Sequence, residues 1–303
     1  MKNILLNLML VVSCSLSAQD TIMSLWPDNK IPNHIESSEK EVYRQNDILR
    51  ISKVQEPTIE VYLPSKRNAT GETFLIFPGG GYGILAYDWE GTDIAKFLNS
   101  KGITGIVVKY RLPSEVSQTD RKYVPLIDAQ RAIRLVRNHA EKFNMKSDKI
   151  GIIGFSAGGH LASTLGTHYN ENVYKPIDSV DSESARPDFM ALVYPVISFG
   201  PNTHNGSKTN LIGNNASNEL SDYFSNENHV TEQTPPTFLL HATDDTAVLV
   251  ENSLLFYKAL KEKGISATMH IYPKGGHGFG LGLNDGHLKD WGNRLIDWVT
   301  SLR

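Results

Sequence analysis

The stretch Gly154-Phe155-Ser156-Ala157-Gly158 limits what this chain can fold into more than any other. It follows the apolar run Ile150-Gly151-Ile152-Ile153 and precedes Leu161-Ala162-Ser163-Thr164-Leu165, which reads as a helix. A G-x-S-x-G between a strand and a helix is the nucleophile-elbow pattern, in which a tight turn holds the serine hydroxyl out above a sheet. Gly154 and Gly158 leave space for backbone where a Cβ would clash. The helix that follows turns its N-terminal N–H groups toward the place where negative charge would develop. Alone, the pattern fits an ordinary serine in a glycine-rich turn equally well. The rest of the chain has to supply a base, an acid and oxyanion donors.

The segments around it set the fold class. Residues 58–64 alternate and are rich in branched side chains, as a strand does. Residues 74–77 are an apolar run of the kind buried on both faces of a parallel sheet, and residues 103–110 read as another buried strand. Residues 93–100 read as a helix, and Pro125 opens a longer one over 125–143, with Leu126, Ala129, Ala132, Ile133, Val136 and Ala140 at helical spacing. Further strands are predicted at 189–194, 237–242 and 267–272, and helices at 251–263 and 288–302. Residues 25–46 read as an irregular N-terminal arm. Strands alternating with helices predict an α/β fold with a mostly parallel central sheet covered on both faces. No repeat or low-complexity linker divides residues 20–303, so they are read as a single domain. The polar segment 198–234 is too long for an ordinary connection. It reads as an insertion over the C-terminal edge of the sheet, either a variable surface loop or a rim that selects substrate.

A serine hydroxyl needs a histidine to take its proton, a carboxylate to orient that histidine, and N–H donors for the oxyanion. His277, in the loop Gly275-Gly276-His277-Gly278, follows a predicted strand and comes after Ser156 in the order this architecture requires. His160 reads as a packing or hydrogen-bonding residue, His241 as a strand-end residue, and the remaining histidines show no metal-ligand spacing. The acid is Asp244 or Asp245; spacing alone leaves both open. Oxyanion donors are expected from the backbone of Ala157 and of Gly79-Gly80-Gly81, directly after an early buried strand.

These pieces together resemble the α/β-hydrolase superfamily, and within it the esterase/lipase branch that contains acetylxylan-esterase-like and feruloyl-esterase-like carbohydrate esterases. The resemblance rests on Phe77-Pro78-Gly79-Gly80-Gly81-Tyr82, Val108-Lys109-Tyr110-Arg111-Leu112, Asp128-Ala129-Gln130-Arg131-Ala132, the elbow, Thr234-Pro235-Pro236-Thr237-Phe238, His241-Ala242-Thr243-Asp244-Asp245, and the glycine loop around His277. In this branch the acid lies four residues after the strand-end histidine and three before a valine, which implies Asp245 with Val248. The oxyanion N–H groups come from the second and third glycines, here Gly80 and Gly81. Pro78 stands where many esterases carry histidine, which points to the carbohydrate-esterase type. The resemblance therefore implies a serine esterase with the catalytic set Ser156, Asp245 and His277. It would remove acyl groups, in particular acetyl, from a polysaccharide or oligosaccharide such as acetylated xylan. A general carboxylesterase or serine peptidase of the same fold is the nearest alternative. A non-catalytic carbohydrate-binding module is the alternative of another class, whose signature would be a lost triad residue. The mechanism requires no cofactor and no metal.

Composition bears on location and partners. The 303 residues carry a formal net charge of −3 with no basic run, so nothing in the charge favours nucleic acid or an acidic membrane surface as a partner. Lys2, the apolar stretch 4–12 and the small residues 13–18 read as a secretory signal over 1–19, too short to span a membrane. Cys14 is the only cysteine, so no disulfide framework exists. Cleavage near Ala18 or Gln19 would release a soluble protein, whereas Val11-Val12-Ser13-Cys14 resembles a lipoprotein box that would place a lipid anchor on Cys14. Both outcomes put the protein outside the cytoplasm.

Overall fold

The computed structural model describes residues 21–28 and 30–302. The leader read at 1–19, including Cys14, lies outside them. In chain order the strands are β1 (Thr21–Ser24), β2 (Val42–Gln45), β3 (Leu49–Ser52), β4 (Thr58–Tyr62), β5 (Thr73–Phe77), β6 (Leu85–Ala86), β7 (Thr104–Lys109), β8 (Ile150–Phe155), β9 (Met190–Val193), β10 (Thr237–Ala242) and β11 (Ala267–Tyr272). The helices are α1 (Asp93–Ser100), α2 (Val124–Asn138), α3 (Ala157–His168), α4 (Asn205–Ile212), α5 (Asn218–Tyr223), α6 (Glu251–Glu262) and α7 (Trp291–Ser301).

Among the described residues, eight strands form one sheet in the order β1–β4–β7–β5–β8–β9–β10–β11. From β7 to β11 all neighbours run parallel, while β4 is antiparallel to β7 and β1 to β4. Every residue of β5, β7, β8, β9 and β10 is buried, which is why these segments are largely apolar, with polar residues such as Thr104, Lys109, Thr237 and His241 at or near strand ends. Right-handed crossovers put α1, between β5 and β7, on the opposite face from α3, between β8 and β9. Accordingly α2 packs on α3, while Gly292 of α7 sits against the ring of Phe97 in α1. The chain winds one way from β5 and the other way from β8. The C-terminal ends of these two neighbours therefore form the switch point where open α/β sheets place their ligands.

Three sequence readings change. The N-terminal arm is not irregular throughout: it ends in β2, which pairs with β3 just after the arm and, with β6, makes a second, three-stranded antiparallel sheet. The helix predicted over 125–143 ends at Asn138, and the chain then turns through Asn144 at φ 55°. Phe143 packs on the core from that turn, so the apolar spacing runs past the helix end. The insertion at 198–234 carries α4 and α5, capped by the side chains of His204 and Ser217, and is anchored by buried Phe199, Leu211, Phe224 and Asn226.

Two of the motifs that carried the resemblance meet in the core. Asp128 of α2 receives a two-pronged contact from Arg111 at 2.7 and 2.9 Å, the Arg111 backbone N–H, and the indole N–H of Trp26. Arg111 and Asp128 are both fully buried. This network fastens the end of β7 and the N-terminal arm to α2.

Candidate active site

Ser156 stands between β8 and α3 at φ 52° and ψ −119°, a conformation that non-glycine residues adopt only when the surroundings enforce it. The enforcement is visible in its glycines. A Cβ on Gly154 would lie 2.2 Å from the carbonyl oxygen of Gly158, and one on Gly158 would lie 2.1 Å from that of Phe77. The Ser156 N–H donates to Val193 O, and its carbonyl accepts the N–H groups of His160 and Val196. The turn is thereby pinned from both sides, with the hydroxyl directed over the switch point.

Ser156 Oγ lies 2.8 Å from His277 Nε2, and His277 Nδ1 lies 2.7 Å from Asp245 Oδ2. A carboxylate only accepts, so His277 must donate from Nδ1, leaving Nε2 to accept the serine hydroxyl. Asp245 Oδ1 accepts the N–H groups of Ala247 and Val248, and His241 Nε2 lies 3.3 Å from Oδ2. Burial alone would raise the Asp245 carboxyl. The contacts of His241 and His277, the His277 charge and the Val248 N–H outweigh it and hold Asp245 well below the usual carboxylate range. It stays ionised wherever His277 has to be oriented. Asp244 points elsewhere: its Oδ1 accepts the N–H of Gly276, tying down the loop that carries His277.

The Gly79–Gly81 loop leaves β5 beside the elbow. Its carbonyls are all engaged: Gly79 O by Ala86 N–H, Gly80 O by the N–H groups of Gly83 and Ile84, and Gly81 O by Asn210 Nδ2 of the insertion. In planar trans peptides each N–H opposes its carbonyl. The N–H groups of Gly80 and Gly81 therefore face away from these partners, and they find no acceptor among the described residues, nor does that of Ala157. Gly80 sits at φ 127°, and a Cβ there would lie 2.3 Å from Ile84 O.

His160 is fully buried and stacks on Phe199 at 4.4 Å. Its Nε2 donates to Phe224 O, and its Nδ1 accepts the hydroxyl of Tyr82, both at 2.8 Å. It thus joins the glycine loop to the insertion, and burial lowers its pKa to about 4. His241 makes a similar internal bridge, with Nδ1 to Ser253 Oγ and Nε2 to Val248 O.

Four nearby residues escaped the sequence reading. His204 caps α4 through Nδ1 and lies over Gly81; burial and the neighbouring His277 charge lower its pKa. Trp89, 40% exposed, donates its indole N–H to Gly278 O at 2.9 Å. It borders a cleft of about 590 Å³ with Phe97, Phe279, Leu281, Leu283 and Asp285. Glu90 and Tyr194 lie buried between the two loops just described. Only Tyr194 left a signal, since it ends a predicted strand at the edge where sites form.

The BD-FAE family signature matches residues 59–260, which include the glycine loop, the elbow and Asp245. The chain belongs to the BD-FAE family. As a BD-FAE member it is 35% identical over 250 residues to the acetylxylan esterase of Xylanibacter ruminicola, an alignment covering 80% of this chain and 47% of that protein. It is 36% identical over 247 residues to endo-1,4-beta-xylanase B of Butyrivibrio fibrisolvens, covering 82% of this chain and 38% of that protein. The chain thus spans less than half the length of these relatives. Among solved structures it resembles the acetyl ester-xyloside bifunctional hydrolase from Caldicellulosiruptor lactoaceticus. That match has a TM-score of 0.81 and 37% identity, and covers 95% of this chain and 98% of the other. The mostly parallel α/β sheet expected from the alternation of elements, and the α/β-hydrolase fold that the resemblance implied, are the fold of this BD-FAE protein.

Proposed function

We propose that this protein is a serine esterase that removes acyl, in particular acetyl, groups from a xylan-type polysaccharide or its oligosaccharides. The observation that carries the reading is the continuous relay Ser156–His277–Asp245, at 2.8 and 2.7 Å, beside three backbone donors that find no acceptor among the described residues. His277 takes the proton of Ser156 as its oxygen attacks the ester carbonyl. The oxyanion is held by the N–H groups of Gly80, Gly81 and Ala157. His277, oriented by Asp245, then returns the proton to the leaving sugar hydroxyl, and the acyl-enzyme is cleared by a water that His277 activates. The names carried by the Xylanibacter and Caldicellulosiruptor proteins support an acetyl ester on a xylose-based chain. Trp89 and its cleft beside the His277 loop offer a face for a bulky leaving group.

The test is acetate release from acetylated xylan and hydrolysis of 4-nitrophenyl acetate, with Ser156→Ala as the control. Both activities should vanish in the variant; undiminished turnover would sink the mechanism. Peptide and long-chain ester substrates run in the same panel separate this reading from a peptidase or a general carboxylesterase. We propose further that residues 20–303 act as one domain outside the cytoplasm, on the strength of the leader read at 1–19. Intact mass of the exported protein tests this: cleavage before about Gln19 or lipidated Cys14 would support it, and a retained leader would refute it.

A further inference from the structure

Glu90 takes no part in the chemistry set out above, yet it is 4% exposed and buried between the two loops on which that chemistry depends. It lies in a π turn, Asp88–Thr92, a local widening of the helix that is frequent at functional sites. Its Oε2 accepts the N–H of Gly79 at 2.8 Å, in the residue just before the proposed oxyanion donors. Its Oε1 accepts the hydroxyl of Tyr194 at 2.9 Å. The Tyr194 oxygen in turn accepts the N–H of Gly280 at 3.1 Å. The Tyr194 ring stands edge-on to the imidazole of His277, with 5.1 Å between centroids. One carboxylate therefore reaches the glycine loop with one oxygen and the histidine loop, through a single tyrosine, with the other.

The cost of this arrangement argues that it has a use. Tyr194 is held at φ 36°, a conformation that a bulky residue avoids. The groups facing Glu90 are the Gly79 N–H, the Tyr194 hydroxyl, the Tyr110 hydroxyl, which itself donates to Pro78 O, and the imidazole of His277. Burial raises the Glu90 carboxyl, offset in part by the Tyr194 and Gly79 hydrogen bonds and by the His277 charge. A buried acid of this kind persists where both of its oxygens are needed as acceptors.

We propose that Glu90 is a positioning residue that locks the glycine loop to the His277 loop, keeping oxyanion donors and base in one register through the transition state. The proposal rests on the serine-esterase reading, and its test separates the two. Steady-state kinetics on 4-nitrophenyl acetate are measured with melting curves for the full chain carrying Glu90→Ala, Glu90→Gln, Tyr194→Phe, Ser156→Ala and the double variant Glu90→Ala/Tyr194→Phe. Glu90→Ala should lower kcat about 100-fold with KM within about threefold, because slack between donors and base is felt only in the transition state. Tyr194→Phe should lower kcat about tenfold, and adding it to Glu90→Ala should cost nothing more, since both cut the same bridge. Glu90→Gln keeps an acceptor for Gly79 and a donor toward the Tyr194 oxygen, so it should recover most of the lost kcat. A folded Glu90→Ala protein with wild-type kcat overturns the lock, as do single-variant losses that simply multiply in the double variant. If Glu90→Ala does not fold, wild-type kcat in Tyr194→Phe overturns it equally. Activity surviving in Ser156→Ala overturns the esterase reading instead, whatever the Glu90 variants do.

Discussion

His160 makes the stability of this fold depend on pH in a way that can be worked out beforehand. In the folded protein its pKa is about 4, against an ordinary value of 6.5, because the ring is fully buried with both nitrogens committed. Nε2 donates to Phe224 O, and Nδ1 accepts from Tyr82, so a second ring proton would face a hydroxyl that is already donating. Above pH 6.5 the folded and unfolded states both hold the ring neutral, and the site contributes no pH dependence. Between pH 6.5 and 4 only the unfolded chain takes up the proton, so stability falls as pH falls; below pH 4 both states are protonated and the loss levels off. A shift of 6.5 to about 4 corresponds to about 3 kcal/mol of stability lost across this window. His168, lowered by burial, acts in the same direction, so the contribution has to be isolated by subtraction. His160→Gln keeps an acceptor for Tyr82 and a donor for Phe224 but does not titrate. Urea unfolding of both proteins at neutral pH and near pH 4 should show the native chain losing about 3 kcal/mol more than the variant. Parallel pH dependences in the two proteins would refute the reasoning.

Three other outcomes can be checked in the same preparations. Asp245→Asn should lower kcat by about 10³–10⁴-fold, since an amide favours the wrong histidine tautomer, while Asp244→Ala, which loses only the tie to Gly276, should stay within about tenfold. Gly158→Ala should fail to fold or lose more than about 3 kcal/mol in urea unfolding, because its Cβ has only backbone to push against. Trp89→Ala should lower kcat/KM on acetylated xylo-oligosaccharides about tenfold more than on 4-nitrophenyl acetate, if the cleft receives the sugar chain; equal losses on both substrates would assign Trp89 to supporting Gly278 alone.

What could be read from the residues follows from how local each signal is. The central strands showed themselves because burial on both faces favours apolar side chains in succession, as in Phe74-Leu75-Ile76-Phe77. Val42-Tyr43-Arg44-Gln45 and Leu49-Arg50-Ile51-Ser52 did not, because short strands of a small, half-exposed sheet carry no such run. In the insertion, Asn, Ser and Gly suggested loop, and the structure uses several of them around the ends of α4 and α5. The choice between Asp244 and Asp245 was invisible to periodicity; it depends on which carboxylate turns inward after β10. Glu90 was illegible for a stronger reason. Its partners Gly79, Tyr194 and His277 come from three separate loops, and no pattern near Asp88-Trp89-Glu90-Gly91 announces them.

The reactive groups hang from β5, β8, β10 and β11, so they are scattered along most of the chain while meeting at one edge. The central strands β7, β5 and β8 all precede β10 and β11 in the chain, and a folding order in which they pair first would leave Ser156 for a time without base or acid. Only when β10 and β11 dock at the far side of the sheet does the hydroxyl gain a partner. During refolding, ester cleavage should therefore lag behind the recovery of secondary structure, timing completion of the sheet rather than collapse of the chain.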